Sequence, residues 1–222
     1  MNFQLLLLAL CQGFFLTNNV TFIAINGLVG LSLAPSAWMA TLPVTGYVLG
    51  GALCAGMVGR HQRNWGRKRA FHAGLLVAMA SSALCAYAAS SHNFWLLVAA
   101  TVVAGYYNAN AALYRFAAAE LVTLPFKEKA ISWVLAGGIV GAVVGPNLAS
   151  ATREVLPVPF AGAYAALVVV ALLSLLTLAF INFPAIPPAN PARPGRPLRE
   201  IARQPVFIIA VAASALGYGV MN

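Results

Sequence analysis

Charge is scarce in this sequence, and negative charge most of all. Charged residues fill 8% of the 222 positions, and only four are Asp or Glu, against roughly 25% charged residues in an average soluble domain. That shortage excludes a water-exposed globular surface. No paired acids, metal-ligand spacing or activated Ser or Cys occur in the apolar runs, so no catalytic residue, metal site or cofactor is read, and an enzyme is not expected. Cys11, Cys54 and Cys85 are dispersed through apolar sequence without a Cys-x-x-Cys; they read as small buried hydrophobes. A basic leader is missing as well. The first apolar run outlasts a signal-peptide core and reads as a retained helix.

What is abundant is hydrophobic sequence: 61% of residues, with a mean hydropathy of +0.85. The chain reads as an all-α integral membrane protein. Its net charge of +9 would suit nucleic acid, but the basic residues sit in short stretches between apolar runs instead of along one surface, so no nucleic-acid partner is expected.

Crossing a hydrocarbon core of about 30 Å takes roughly 20 apolar residues. Six runs qualify, at 4–31, 37–59, 69–90, 94–122, 128–151 and 159–183. A seventh starts at Pro205 and stops at Asn222 in mid-span, as a piece of a longer protein would. The expected organisation is a six-helix bundle over 1–183, a Pro/Arg-rich cytoplasmic linker over 184–204, and the start of a seventh helix over 205–222. The linker's composition favours an extended spacer, with peptide recognition as the other reading.

Orientation follows from Gly59 to Arg69, read as a short basic loop carrying Arg60, Arg63, Arg67, Lys68 and Arg69. Lys127, Lys129, Arg193, Arg196, Arg199 and Arg203 fall on the same side, and only Arg153 falls on the other. By the positive-inside rule the rich side is cytoplasmic, the amino terminus included.

Polar residues inside the spans carry the functional argument, because they are costly there. In the first run Gln12, Asn19 and Asn26 recur every seven residues, with Thr17, Asn18 and Thr21 widening the polar zone. In the fourth, Tyr107, Asn108, Asn110, Tyr114 and Arg115 fall within an arc of about 160° at 100° per residue. Asn19, Asn26, Tyr107, Asn108, Asn110 and Arg115 are therefore the candidate solute contacts. Structural hydrogen bonding between helices is the competing reading for each Asn. Arg115 either meets an anionic group in a cavity or snorkels to the headgroups. Glu120, one turn nearer the basic side, is drawn to the basic stretch as a brace or gate. His72 borders the third run, while His61 and His92 read as loop residues without a role. Gly46, Gly50, Gly51, Ala55 and Gly59 in the second run, and Gly137, Gly141 and Gly145 in the fifth, mark faces of close packing. They suggest two inverted three-helix repeats.

On these residues the chain resembles the amino-terminal half of a transporter of the major facilitator superfamily. Gly59, Gly66, Arg67, Lys68 and Arg69 are similar to the family's motif between helices 2 and 3. Gly141-Ala-Val-Val-Gly145-Pro146 resembles the helix 5 signature of its antiporter branch, and Ala119-Glu120-Leu121 the close of helix 4. The resemblance implies a twelve-helix inner-membrane permease moving a small organic solute by alternating access, with export favoured. Its second half would lie beyond this chain and its partners would be the solute and the lipid bilayer. Gly59, Arg63, Gly66, Arg67, Lys68 and Glu120 would serve the cytoplasmic gate, and Gly141, Gly145 and Pro146 would let helix 5 pack against the other half and bend. Two departures stand out. Arg63-Asn64 occupies the usual Asp-Arg position, and Thr101 stands where antiporters often carry Arg, so a coupling proton would need a carrier in the second half. A scaffold or sensor on the same fold is the alternative.

Overall fold

Hydropathy alone makes these helices unavoidable, since backbone amides in hydrocarbon must be satisfied within their own segment. The computed structural model describes residues 3–184 and 198–221, and every regular element among them is helical. These are α1 (Phe3–Leu33), α2 (Leu42–Trp65), α3 (Arg67–Ser90), α4 (Phe94–Ala111), α5 (Tyr114–Glu120), α6 (Lys127–Thr152), α7 (Ala161–Ala179), α8 (Leu198–Ala202) and α9 (Pro205–Met221). Six spans among the described residues are long and apolar enough to cross a membrane, α4 and α5 counting as one. At 1.5 Å per residue the 31 residues of α1 reach about 46 Å, longer than a hydrocarbon core of about 30 Å.

Two expectations need correction. The basic stretch is not a loop: α2 runs on through Arg60, His61, Gln62 and Arg63 to Trp65, and α3 begins at Arg67. Gly66 alone joins them, at φ +82°, a left-handed conformation that glycine adopts without the Cβ penalty. Arg63 in the last turn of α2 also complements the negative end of the helix dipole. Secondly, the fourth span is broken. The Leu113 amide donates to Asn110 and the Phe116 amide to Leu113, both at three-residue spacing, a tightened turn that separates α4 from α5. The second span starts at Ala37, where it is expected, and its α-helical part begins at Leu42, with Pro43 in its first turn, where a missing amide costs nothing. A short 3-10 turn, Ala37–Met39, precedes it.

Two compact units are present, Met1–Ala185 and Ile186–Asn222. Most prolines of the expected linker, Pro187, Pro188, Pro191, Pro194 and Pro197, lie outside the described residues. Leu198–Ala202, inside the stretch expected to be extended, is helical. Among the described residues, the regular structure of the second unit is otherwise α9.

Within the first unit the packing is symmetric under exchange of its halves. The α1/α6 pair corresponds to α4/α2, α1/α7 to α4/α3, and α3/α7 to itself. Each three-helix repeat thus lends its first helix to the other. Both principal seams are lined by glycine. Gly137 and Gly141 meet the Ala9 and Gly13 carbonyls, while Gly50 and Gly105 meet Val102 and the Gly50–Gly51 backbone. Such proximity supplies the dispersion contacts that replace the hydrophobic effect between helices in lipid. Two buried clusters follow, one around Leu8, Phe71, Tyr114 and Leu178 towards the basic end, the other around Phe22, Tyr47, Leu97 and Tyr164 towards the opposite end.

Candidate functional site

The first and fourth spans, equivalent in the repeat, share one side-chain hydrogen bond among the described residues. Asn19 Nδ2 donates to Asn108 Oδ1 at 3.3 Å, and both residues are partly exposed. Gly51 of α2 makes room beside them, since a Cβ there would stand 3.3 Å from Asn108 Nδ2. An amide has two donors and two acceptor lone pairs. Neither side chain makes a further hydrogen bond among the described residues, so the pair retains capacity for a ligand.

The remaining expected solute contacts lie elsewhere. Asn26 is fully buried: its Nδ2 donates to the Phe22 carbonyl, and its Oδ1 accepts from the Tyr164 hydroxyl at 2.8 Å. Asn110 is buried too, donating to the Ala70 carbonyl at 2.6 Å and accepting from Gln62 Nε2 at 2.7 Å. Both knit helices together inside the bundle. Tyr107 is buried edge-on against Phe15, with ring centroids 5.7 Å apart. Arg115 is exposed one residue into α5, with its guanidinium carbon 5.0 Å from the Phe116 ring centroid and no ion pair among the described residues. The expected 160° arc assumed an unbroken helix. The three-residue hydrogen bonds at Ala112–Leu113 interrupt that periodicity, and α4 packs on both α2 and α3, which absorbs its other polar flank.

At the basic end a continuous polar chain crosses four helices. Glu120 of α5 holds Arg67 of α3 through both carboxylate oxygens, at 2.6 and 3.1 Å. Arg67 also donates to Gln62 Oε1 of α2, and Gln62 passes the chain to Asn110 of α4. Lys68 Nζ donates to the Ala179 carbonyl at 2.7 Å, tying α3 to the end of α7. Gly59 and Arg63 face outwards, and a Cβ at Gly59 would meet nothing. Arg67 and Glu120 are thus brought together, Lys68 reaches α7 instead, and Gly59 and Arg63 join neither.

Two participants carried no signal in the sequence. Gln62 is the link between Arg67 and Asn110, and only its place one turn before a helix end could have marked it. His61 lies within α2, not in a loop; it stacks on Trp65 at 4.0 Å, and its Nδ1 is 2.8 Å from the Tyr106 hydroxyl. The i, i+4 spacing of His61 and Trp65 was the available clue.

The fifth-span glycines also differ in partner from the expectation. Gly141 and Gly145 face α1 of the same bundle, where Thr21 Oγ1 donates to the Gly145 carbonyl at 2.8 Å. Pro146, inside α6, is exposed.

The sequence pattern of the Major Facilitator Superfamily matches residues 5–222. The chain is also similar to the riboflavin transporter RfnT of Brucella anthropi, with 36% identity over 222 residues covering 99% of this chain and 56% of that protein. It therefore spans about half the length of the curated relative it matches.

Proposed function

Because the chain belongs to the major facilitator superfamily, a family of transporters and not of enzymes, we propose that its six spans form the amino-terminal half of a secondary transporter working by alternating access. The solute we propose is riboflavin or a close flavin, on the similarity to RfnT. Riboflavin is neutral near pH 7, with a flat ring system whose edge mixes hydrogen-bond donors and acceptors. The Asn19–Asn108 amide pair suits such an edge, and this partly exposed bond between equivalent helices is the observation that carries the reading. A neutral solute needs no fixed counter-charge, in keeping with the scarcity of acids in these spans.

In this reading the bundle is multi-pass in the inner membrane with its amino terminus in the cytoplasm, supported by the distribution of Lys and Arg. The Glu120–Arg67–Gln62–Asn110 chain braces the cytoplasmic ends of four helices so that the half moves as one body. Glu120 supplies the carboxylate that the Arg63 position lacks. Proton coupling would use an acid outside these spans. Export is proposed on the Gly141-x-x-x-Gly145-Pro146 signature alone. The decisive experiment is riboflavin flux, followed by its own fluorescence, in right-side-out and inverted vesicles containing the complete protein. Asn108→Ala is expected to lower kcat/KM about tenfold, the effect of losing about 1.4 kcal/mol. Absence of flavin flux with the unmodified protein would end the flavin reading.

A further inference from the structure

Along the outer side of the α1/α6 seam runs a groove that the solute reading does not use. It has three connected parts of about 520, 270 and 520 Å³. The first, at the basic end, is lined by Thr123, Phe126, Lys129 and Trp133. It shares Leu5 and Trp133 with the second, and the second shares Leu6, Ala9 and Gly137 with the third. Glycines lie at its floor, where the two helices touch: a Cβ at Gly137 would come within 2.3 Å of the Ala9 carbonyl oxygen. Val140 and Val144 of α6, Leu10 of α1 and Leu173 of α7 wall the far part. Leu10 and Asn19 are about 180° apart on α1 at 100° per residue, so the groove faces away from the amide pair.

We infer that this groove binds an anionic phospholipid of the leaflet on the basic side, the headgroup at Lys129 and one acyl chain along the seam. Lys129 is exposed at the mouth, with Lys127 two residues earlier in the first turn of α6. Phe126 caps that helix without a side-chain hydrogen bond, which leaves the positive end of its dipole beside these lysines. Glu128 lies with Ser132 on the other flank of Lys129, leaving the local balance positive. Trp133 is 57% exposed and stands where indole rings favour the interface. From Lys129 to Val144 the groove extends about 22 Å at 1.5 Å per residue, more than half the hydrocarbon thickness of about 30 Å. An acyl chain gains little here over neighbouring lipid, because lipid tails are as apolar as leucine. Charge at the mouth therefore sets the selectivity.

The experiment uses the full-length chain in nanodiscs, read by native mass spectrometry with phosphatidylglycerol competing against phosphatidylcholine, and needs no solute. Phosphatidylglycerol is expected to be retained preferentially, with the preference falling about fivefold in Lys129→Gln and surviving in Lys129→Arg, in line with one basic residue near a surface. A photo-crosslinking residue at Val140 is expected to label lipid. Equal retention of both lipids, an unchanged preference in Lys129→Gln, or a Val140 crosslink to another segment of the chain or to a second copy would each overturn the inference.

Discussion

Replacing Gly74 by alanine in the middle of α3 ought to be harmless or helpful, because alanine is favoured over glycine in a helix interior by about 0.8–1.0 kcal/mol. The surroundings reverse that expectation. A Cβ at Gly74 would lie 2.6 Å from Asn110 Nδ2, 3.1 Å from its Cγ and 3.2 Å from its Cβ. The contact reaches back to the root of the side chain, so a rotamer change cannot relieve it, and the asparagine must leave its bonds to Ala70 and Gln62. Losing two interhelical hydrogen bonds costs roughly 1–3 kcal/mol, from about 0.6 kcal/mol each in membrane cases up to the penalty for stranded buried groups. Gly74→Ala should therefore destabilise by up to about 2 kcal/mol net of propensity. In an Asn110→Ala background the amide is gone and only the 3.2 Å contact with the Cβ of residue 110 remains, so the same change should stabilise by up to about 1 kcal/mol. The predicted coupling energy is about 1–3 kcal/mol, read from a double-mutant cycle on the full-length chain unfolded in mixed micelles. Additivity within about 0.5 kcal/mol would show that Gly74 does not make room for Asn110, and would undo the account of the chain at the basic end.

Two further perturbations separate positions that look alike in sequence. Gly50→Ala places a Cβ 2.1 Å from the Val102 carbonyl oxygen, whereas at Gly59 it meets nothing; thermal unfolding should show a loss of about 1–3 kcal/mol for the first, the usual overpacking range, and a neutral or slightly stabilised second. Glu120→Gln removes the Arg67 ion pair, whose side chains are 19% and 39% exposed, so stability should fall by no more than about 1 kcal/mol. Transport should fall far more, and an unaltered flux together with an unaltered inward-open population would exclude a gating role for Glu120.

How far the fold could be read in advance depended on how local the signal was. Span number follows from hydropathy, and the fourfold glycine spacing in the second and fifth runs marked real seams, because close approach needs small residues whichever helix arrives. Which helix arrives is not local. The family resemblance sets Gly141 and Gly145 against the other half, whereas α1 of their own bundle meets them. The break before Tyr114 was invisible, since Asn110-Ala-Ala-Leu-Tyr114 contains no proline or glycine and the turn is fixed by tertiary packing. Helical arithmetic likewise collected Asn19 and Asn26 on one face without distinguishing a partly exposed amide from one closed over by Tyr164. The Arg67–Glu120 pairing was legible because so few acids were available to the basic stretch.

The exchange of first helices between the repeats also has a consequence in time. Thr21 of α1 bonds to Gly145, 124 residues later, and at roughly 5–20 residues per second of synthesis that partner follows by roughly 6–25 s. Through this interval α1 would sit in the bilayer with Asn18 and Asn26 lacking the tertiary partners they later find in α7. Neither repeat can close its seams alone, so assembly of the bundle waits for the sixth span, and a chain arrested after the third would hold polar helices against lipid with nothing to cover them.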